Sequence, residues 1–505
     1  MSLWTVLKER LKLYEYREAL ILDKGEVLLY GEILNKAESL AIQISMTTSP
    51  RSRIGFLHSR SYTDAISTLG ILAAHCTVVP MSLHYGILNC CQVIDKAELD
   101  LILSDLAVLP PEIIKLTAKK EIKILSFHDD AVSTPSKLLA QPEEEMAENE
   151  LAMIMFTSGT TGSPKGVMLS HHNIISNLAD IADYFCLNED DLILICRPLY
   201  HAAVMTGEFL HALLSGCKVT FYDDGFNPKR LLSVMKQRKC TVMCGTPTML
   251  YNLSVFRKQQ DEISINKIVV SGESLLPQIA DRLLECFPGV DFYNVFGLTE
   301  ASPRVAYLEP ALFQSKQGSV GLPLKSVTVN ICSEDGSTAE TGQIGELMVA
   351  GPNVMLEYWR DKQLTHSKLV NGYLRTGDLA YKDEDGFLFI VGRMDQMIIR
   401  GGMNIYPQEI ENALLECAEI KEIAAWGRSN PKYGQQVCIA CVPQVKGQLN
   451  NGDILAICRK KLEPYQWPDE IAIVDHLPRN ASGKLLRKEL YSAMCDLEDR
   501  HEKLH

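Results

Sequence analysis

Apolar runs of membrane-spanning length are missing from this sequence. The longest, such as residues 71–81, are interrupted by His75 and Pro80 and fall short of the roughly 20 residues that hydrocarbon requires. Nor does the start read as a secretory leader. Residues 1–17 mix apolar positions with Lys, Glu and Arg and read as an amphipathic helix, without the uninterrupted apolar core and small-residue cleavage site of a signal. These absences predict a soluble, cytoplasmic protein. Positive charge is in deficit: 50 Lys and Arg stand against 63 Asp and Glu, for a formal net charge of −13. Such a surface repels a phosphate backbone, so nucleic acid is not an expected partner.

A disulfide or metal framework is also absent, although there are fifteen cysteines. Cys196, Cys217, Cys240 and Cys244 are scattered through apolar runs and read as reduced, buried small hydrophobes. Cys438 and Cys441 form a C-x-x-C, but within the apolar run 437–442, which reads as a strand. Side chains three apart on a strand face opposite ways, and no second ligand pair follows. Internal repeats and long low-complexity tracts are lacking as well.

What is present is length and alternation. At 505 residues and 46% hydrophobic composition, the chain exceeds the size at which one core usually keeps growing, which predicts at least two domains. Short apolar runs at 54–57, 77–80, 101–104 and 122–125 are separated by amphipathic stretches, the pattern of parallel sheets wrapped by helices. An acidic segment, 141–149, reads as an exposed connection leading into a strand at 151–156. From Val327 onward, short alternating strands such as 345–350 and 386–391 predict a β-rich region. Past Asp395 the pattern changes to a loop at 400–404, a helix at 407–417 with Pro at its start, and strands at 423–426 and 437–442. The roughly 110 residues that remain there suit a small α+β domain.

The strongest chemical signal is the segment Thr157-Ser158-Gly159-Thr160-Thr161-Gly162-Ser163-Pro164-Lys165-Gly166, directly after an apolar strand. Glycines let backbone N–H groups approach phosphate oxygens, hydroxyls add donors, and Lys165 adds positive charge. It is not a Walker-type loop, because Lys165 is followed by Gly166 rather than Ser or Thr and the glycine spacing differs.

Further motifs follow in order: Pro198-Leu199-Tyr200-His201, Gly272-Glu273, Phe296-Gly297-Leu298-Thr299-Glu300, Arg375-Thr376-Gly377-Asp378-Leu379, Gly392-Arg393-Met394-Asp395 and Asn480-Ala481-Ser482-Gly483-Lys484. With the glycine-rich loop, this series resembles the adenylate-forming superfamily of acyl-CoA synthetases, stand-alone adenylation enzymes and luciferases, over nearly the whole chain. The resemblance implies an α/β fold: a large N-terminal AMP-binding domain, 1–394, of two stacked α/β subdomains plus the β-rich part, and a small mobile α+β domain, 395–505. It also implies ATP, Mg²⁺ and a thiol acceptor. A carboxylate attacking the α-phosphate must overcome repulsion between anions, so such a site needs positive charge, a divalent cation and fixed donors.

By the same resemblance, residues 157–162 and Lys165 cradle phosphates, Phe296 stacks on adenine, and Gly272, Glu273, Ser274, Asn294, Gly297 and Leu298 line the nucleotide. Thr299 bonds the α-phosphate, while Glu300 and Thr161 hold Mg²⁺, a cation that prefers oxygen ligands. Asp378 accepts from the ribose hydroxyls, and Arg393 contacts ribose or phosphate. Lys484 reaches in during adenylation, and Asp395 is the hinge about which the small domain turns, bringing the 400–404 loop to the site for thiol transfer. Lys484, Thr299 and His201 are the candidate catalytic side chains.

His201 stands where amino-acid-activating members carry an Asp for the substrate ammonium, which disfavours α-amino acids and predicts an acyl or aryl acid. Tyr200, Val204, Met205, Cys244, Thr246 and Ser302 are candidate pocket residues. Ser271-Gly272-Glu273-Ser274 departs from the Gly-Gly-Ala pattern frequent in acyl-CoA synthetases. The acceptor thiol therefore stays open between coenzyme A and the phosphopantetheine of a carrier protein, expected as a separate chain. An amino-acid adenylation enzyme, a luciferase-like oxygenase and a non-catalytic nucleotide binder are the competing readings.

Overall fold

The computed structural model describes residues 1–22, 25–127, 149–157, 163–258, 262–479, 485–487 and 490. The chain opens with a helix, Leu3–Leu13, whose Leu3, Trp4, Leu7 and Leu11 form one buried stripe at helical spacing. Ser2 caps it by accepting from the Thr5 amide, and Arg10 and Lys12 occupy its last turn, where cations suit the helix dipole.

A first sheet runs in the order Glu357–Tyr358, Lys165–Ser170, Leu151–Thr157, Thr77–Pro80, Arg53–Leu57, Leu101–Ser104, Lys123–Ser126. The strands from Leu151–Thr157 through Lys123–Ser126 are parallel neighbours. Thr77–Pro80 and Leu101–Ser104 are buried at every position, as expected of strands covered on both faces. The strand Lys165–Ser170 turns back antiparallel on Leu151–Thr157, with Thr157 opposite Lys165. The glycine-rich segment therefore bridges the two arms of a hairpin.

A second sheet holds the parallel strands Leu192–Ile195, Lys218–Phe221, Val242–Gly245, Lys267–Ser271 and Asp291–Gly297. It continues through the antiparallel strands Arg304–Leu308 and Ser319–Pro323 into Leu388–Arg393, Tyr373–Lys382, Gly345–Ala350 and Thr328–Cys332. The β-rich region predicted after Val327 is present, and its strands are joined edge to edge to this sheet.

A third sheet gathers Ile398–Arg400, Met403–Ile405, Ile420–Asn430, Gly434–Pro443 and Glu470–Ile473, with helices Pro407–Leu415 and Asn451–Lys461. The segment 400–404, predicted as a loop, is instead mostly strand, closed by Gly401 and Gly402 at φ +58° and +83°. A two-residue turn with positive φ at both positions matches strand twist, and glycine adopts it without a Cβ clash. Cys438 packs with Trp426 and Leu477, while Cys441 packs with Ile398 and Ile454 on the other face. The C-x-x-C thiols thus point apart, as the strand period requires. Among the described residues no helix is long and apolar enough to cross a membrane.

Candidate active site

Three neighbouring parallel strands of the second sheet deliver motifs at their carboxyl ends, where open α/β sheets place their ligands. Val242–Gly245 leads to Thr246, which caps the helix Pro247–Phe256. Lys267–Ser271 leads to Gly272, Glu273 and Ser274, and Asp291–Gly297 leads to Leu298, Thr299 and Glu300. Gly272 takes φ +93°. Gly297 has no room for a side chain: a Cβ there would stand 1.9 Å from the Pro303 carbonyl oxygen.

Phe296, Leu298, Thr299 and Glu300 are half-buried, Gly297 and Ser274 exposed. Asn294 is buried, its amide donating to the Ser319 carbonyl at 2.7 Å. The Glu273 carboxylate accepts from the Thr248 hydroxyl at 2.8 Å and lies 3.9 Å from the Arg479 guanidinium. His201 is half-buried, its ring tilted against Tyr200 with centroids 4.4 Å apart. Val204, Met205, Cys244, Thr246 and Ser302 are all buried.

Glu300 is held from the first sheet. The Tyr358 hydroxyl donates to Glu300 Oε1 at 2.8 Å, and the Met355 amide donates to the Glu300 carbonyl at 2.9 Å. Tyr358 pairs with Val167 on the strand that begins at Lys165, so the glycine-rich hairpin and Glu300 share one rigid support. Burial, and then the adjacent Glu300 charge, raise the Tyr358 hydroxyl far above the usual tyrosine value, keeping it a donor. Thr157 and Tyr200 line a common cavity with Pro164 and Cys90.

Asp378 and Arg393 sit opposite each other on adjacent antiparallel strands, and Arg393 Nη1 donates to Asp378 Oδ1 at 3.1 Å. Arg393 also lies 3.6 Å from Asp395 Oδ1 and within the field of Glu300. Lys368 approaches the same place: its Nζ would be 3.3 Å from a Cβ on Gly377, and Arg393 Nη2 3.4 Å. Thr157, Lys165, Glu300, Asp378 and Arg393 are thereby linked through Tyr358 and Arg393. Ser158, Gly159, Thr160, Thr161, Gly162 and Lys484 lie outside the described residues.

Sequence reading missed Tyr358, whose only signal is its place after the glycine-proline turn at Gly351-Pro352. It also missed Lys96, which donates to the Ser163 hydroxyl at 2.6 Å and the Pro164 carbonyl at 2.9 Å, anchoring one end of the glycine-rich segment. Nothing near Lys96 in the sequence marks that role. Missed as well were Arg197, Glu208 and Arg304, which are buried charges. For Arg197 there was a signal, a charge inside the apolar run 192–199.

The profile of the AMP-binding enzyme family matches residues 7–359, and that of the AMP-binding enzyme C-terminal domain matches residues 409–484. The chain is 30% identical over 479 residues to a feruloyl-CoA synthase of Amycolatopsis sp, covering 92% of this chain and 94% of that one. It is 34% identical over 339 residues to an indoleacetate–CoA ligase of Aromatoleum aromaticum, covering 67% and 66%. The fold superposes on the o-succinylbenzoate coenzyme A synthetase of Bacillus subtilis solved with ATP and magnesium ion, with a TM-score of 0.85 and 26% identity over 97% of this chain and 99% of that one. The chain belongs to the AMP-binding enzymes, the adenylate-forming superfamily that its ordered motifs resemble.

Proposed function

We propose that this enzyme joins a non-amino acyl or aryl acid to AMP, releasing pyrophosphate, and passes the acyl group to a thiol. What supports the reading is the linkage of the phosphate hairpin, Glu300 and the Asp378–Arg393 pair, through Tyr358 and Arg393, beside the carboxyl ends of the second sheet. In this reading the 157–162 segment and Lys165 hold the phosphates, Phe296 and residues 272–274 flank adenine, and Asp378 receives the ribose hydroxyls. Thr299 and Lys484 stand at the α-phosphate.

ATP and Mg²⁺ fit the residues present. Glu300 offers a carboxylate fixed through one oxygen, an oxygen donor of the kind Mg²⁺ prefers, with Thr161 as the second candidate ligand. When bound, Mg²⁺ neutralises phosphate charge. The acid oxygen then attacks the α-phosphorus as pyrophosphate leaves, and a thiolate displaces AMP from the acyl-adenylate. The names of the relatives favour coenzyme A as the acceptor, with a carrier-protein phosphopantetheine as the other candidate.

We further place the division between the two domains at 394/395. The one-turn helix Met394–Gln396 is the joint between the last strand of the second sheet and the first of the third. Arg479, five residues before Lys484, donates to Thr248 at 3.3 Å beside Glu273, while Asn404 donates to Glu334 at 3.1 Å, next to the edge strand Thr328–Cys332. This orientation suits adenylation. The 400–404 hairpin would reach the site after rotation.

ATP–pyrophosphate exchange across fatty, aryl, hydroxy and amino acids, followed by thioester assay with coenzyme A, tests the reading. Exchange with an acyl or aryl acid and thioester formation are expected. Exchange supported best by α-amino acids, or by no acid, would overturn it.

A further inference from the structure

We propose that the acid activated here carries a second anionic group, a distal carboxylate, that pairs with a surplus guanidinium buried behind the acid pocket; this rests on the acid-activation reading above. Three charged side chains are packed together out of solvent: Arg197 is 7%, Arg304 3% and Glu208 0% exposed. Arg197 Nη2 pairs with Glu208 Oε1, and Arg197 Nη1 reaches the Ser271 hydroxyl at 3.3 Å. Arg304 lies against the same helix turn, its Nη2 3.1 Å from where a Cβ on Gly207 would stand, and its guanidinium hydrogen-bonds with the Tyr184 hydroxyl.

The charges do not balance. Two guanidiniums face one carboxylate, and Glu208 lies in the field of both. The other titratable neighbours supply no anion: burial, and then the Arg304 charge, hold His211 down near 4, and burial pushes Cys196 and Tyr184 up to about 12 and Cys244 well above its usual value. Among the described residues one positive charge is left over. Arg197 Nε, Arg304 Nε, Glu208 Oε2 and Ser302 Oγ, all buried, make no hydrogen bond among the described residues. A buried guanidinium without a counter-charge is strongly disfavoured, so the site is built for an anion that arrives from outside.

The cluster borders the candidate nucleotide and acid pocket residues. Arg197 Nη1 is 3.9 Å from where a Cβ on the exposed Gly272 would stand. The Thr206 hydroxyl, two residues before Glu208, is 3.3 Å from the Ser302 carbonyl. Residues 205–210 form a wide-turn helix starting four residues after His201, a geometry that recurs at functional sites. The reacting carboxylate has to point at the α-phosphate beside Thr299, so it cannot also neutralise Arg304. A second carboxylate on the same acid can.

The test is ATP–pyrophosphate exchange by the full-length enzyme on matched pairs such as hexanoate and adipate, or a phenylpropanoate and its para-carboxy analogue. Dicarboxylates should exceed their monocarboxylate partners about a hundredfold in kcat/KM, since a site that pairs a buried charge rejects the analogue lacking its partner. Arg304→Leu should bring the two within about threefold. In case that variant does not fold, the free dicarboxylate should raise the melting temperature of the unmodified enzyme, and the monocarboxylate should not. Monocarboxylates used as well as or better than dicarboxylates, or a ratio untouched in Arg304→Leu, overturns the proposal and leaves acid activation standing. Exchange with no acid of either kind overturns both.

Discussion

At the residue scale, Tyr358 shows how much one hydroxyl can decide. Its hydrogen bond fixes one Glu300 oxygen at 2.8 Å and so aims the carboxylate. Hydrogen bonds to a charged acceptor are among the stronger ones, and Tyr358→Phe should raise the Mg²⁺ concentration needed for half-maximal pyrophosphate exchange about tenfold. An unchanged Mg²⁺ titration would remove Glu300 from metal binding or Tyr358 from supporting it. Two buried histidines set an acid limit on stability. Burial holds both His171 and His211 near 4, against an ordinary value of 6.5. Between those values the unfolded chain takes up protons that the folded chain refuses, so the stabilisation is complete above pH 6.5 and is lost as pH falls toward 4. The slope is on the order of 1 kcal/mol per pH unit for each histidine. Urea midpoints should therefore drop from pH 7 to pH 5, with a shallower drop in His171→Gln; a midpoint constant over that range contradicts the assignment.

At the element scale, the close approach of two strands is what places Thr299 and Glu300. Gly297 lies directly against the Pro303 backbone, with the Leu298 amide donating to the Pro303 carbonyl at 2.9 Å. Because the obstacle is backbone, Gly297→Ala must spread the turn. Exchange activity should fall at least tenfold, with a lower melting temperature; full activity would show that the turn tolerates the shift. Legibility varied with how local the cause was. The strands at 77–80, 101–104 and 345–350 were read to the residue, because four to six apolar or alternating positions between breakers leave little choice. The 400–404 hairpin was read as a loop, since three-residue arms carry too little pattern. The wide-turn helix at 205–210 leaves no composition signal at all.

At the scale of the molecule, the joint at Met394–Gln396 is the only covalent path described between the second and third sheets. If the small domain turns there between half-reactions, Asp395→Pro should slow thioester formation at least tenfold while leaving pyrophosphate exchange within about twofold, because proline restricts the φ that a hinge must change. Equal loss of both half-reactions would argue against the hinge. The Arg479 contacts with Thr248 and Glu273, and those of Asn404 with Glu334, are the ones this rotation would exchange.

Sequence by itself determined the family, the motif order and the class of reaction, because these are carried by residue types at short spacings. Tertiary structure decided what no spacing carries: that Tyr358 supports Glu300, that Lys96 anchors the glycine-rich segment, and that Arg197, Glu208 and Arg304 share one buried cluster. Each of these joins residues between 11 and 107 positions apart. Their charges and hydrogen bonds acquire meaning only when folding removes water from between them.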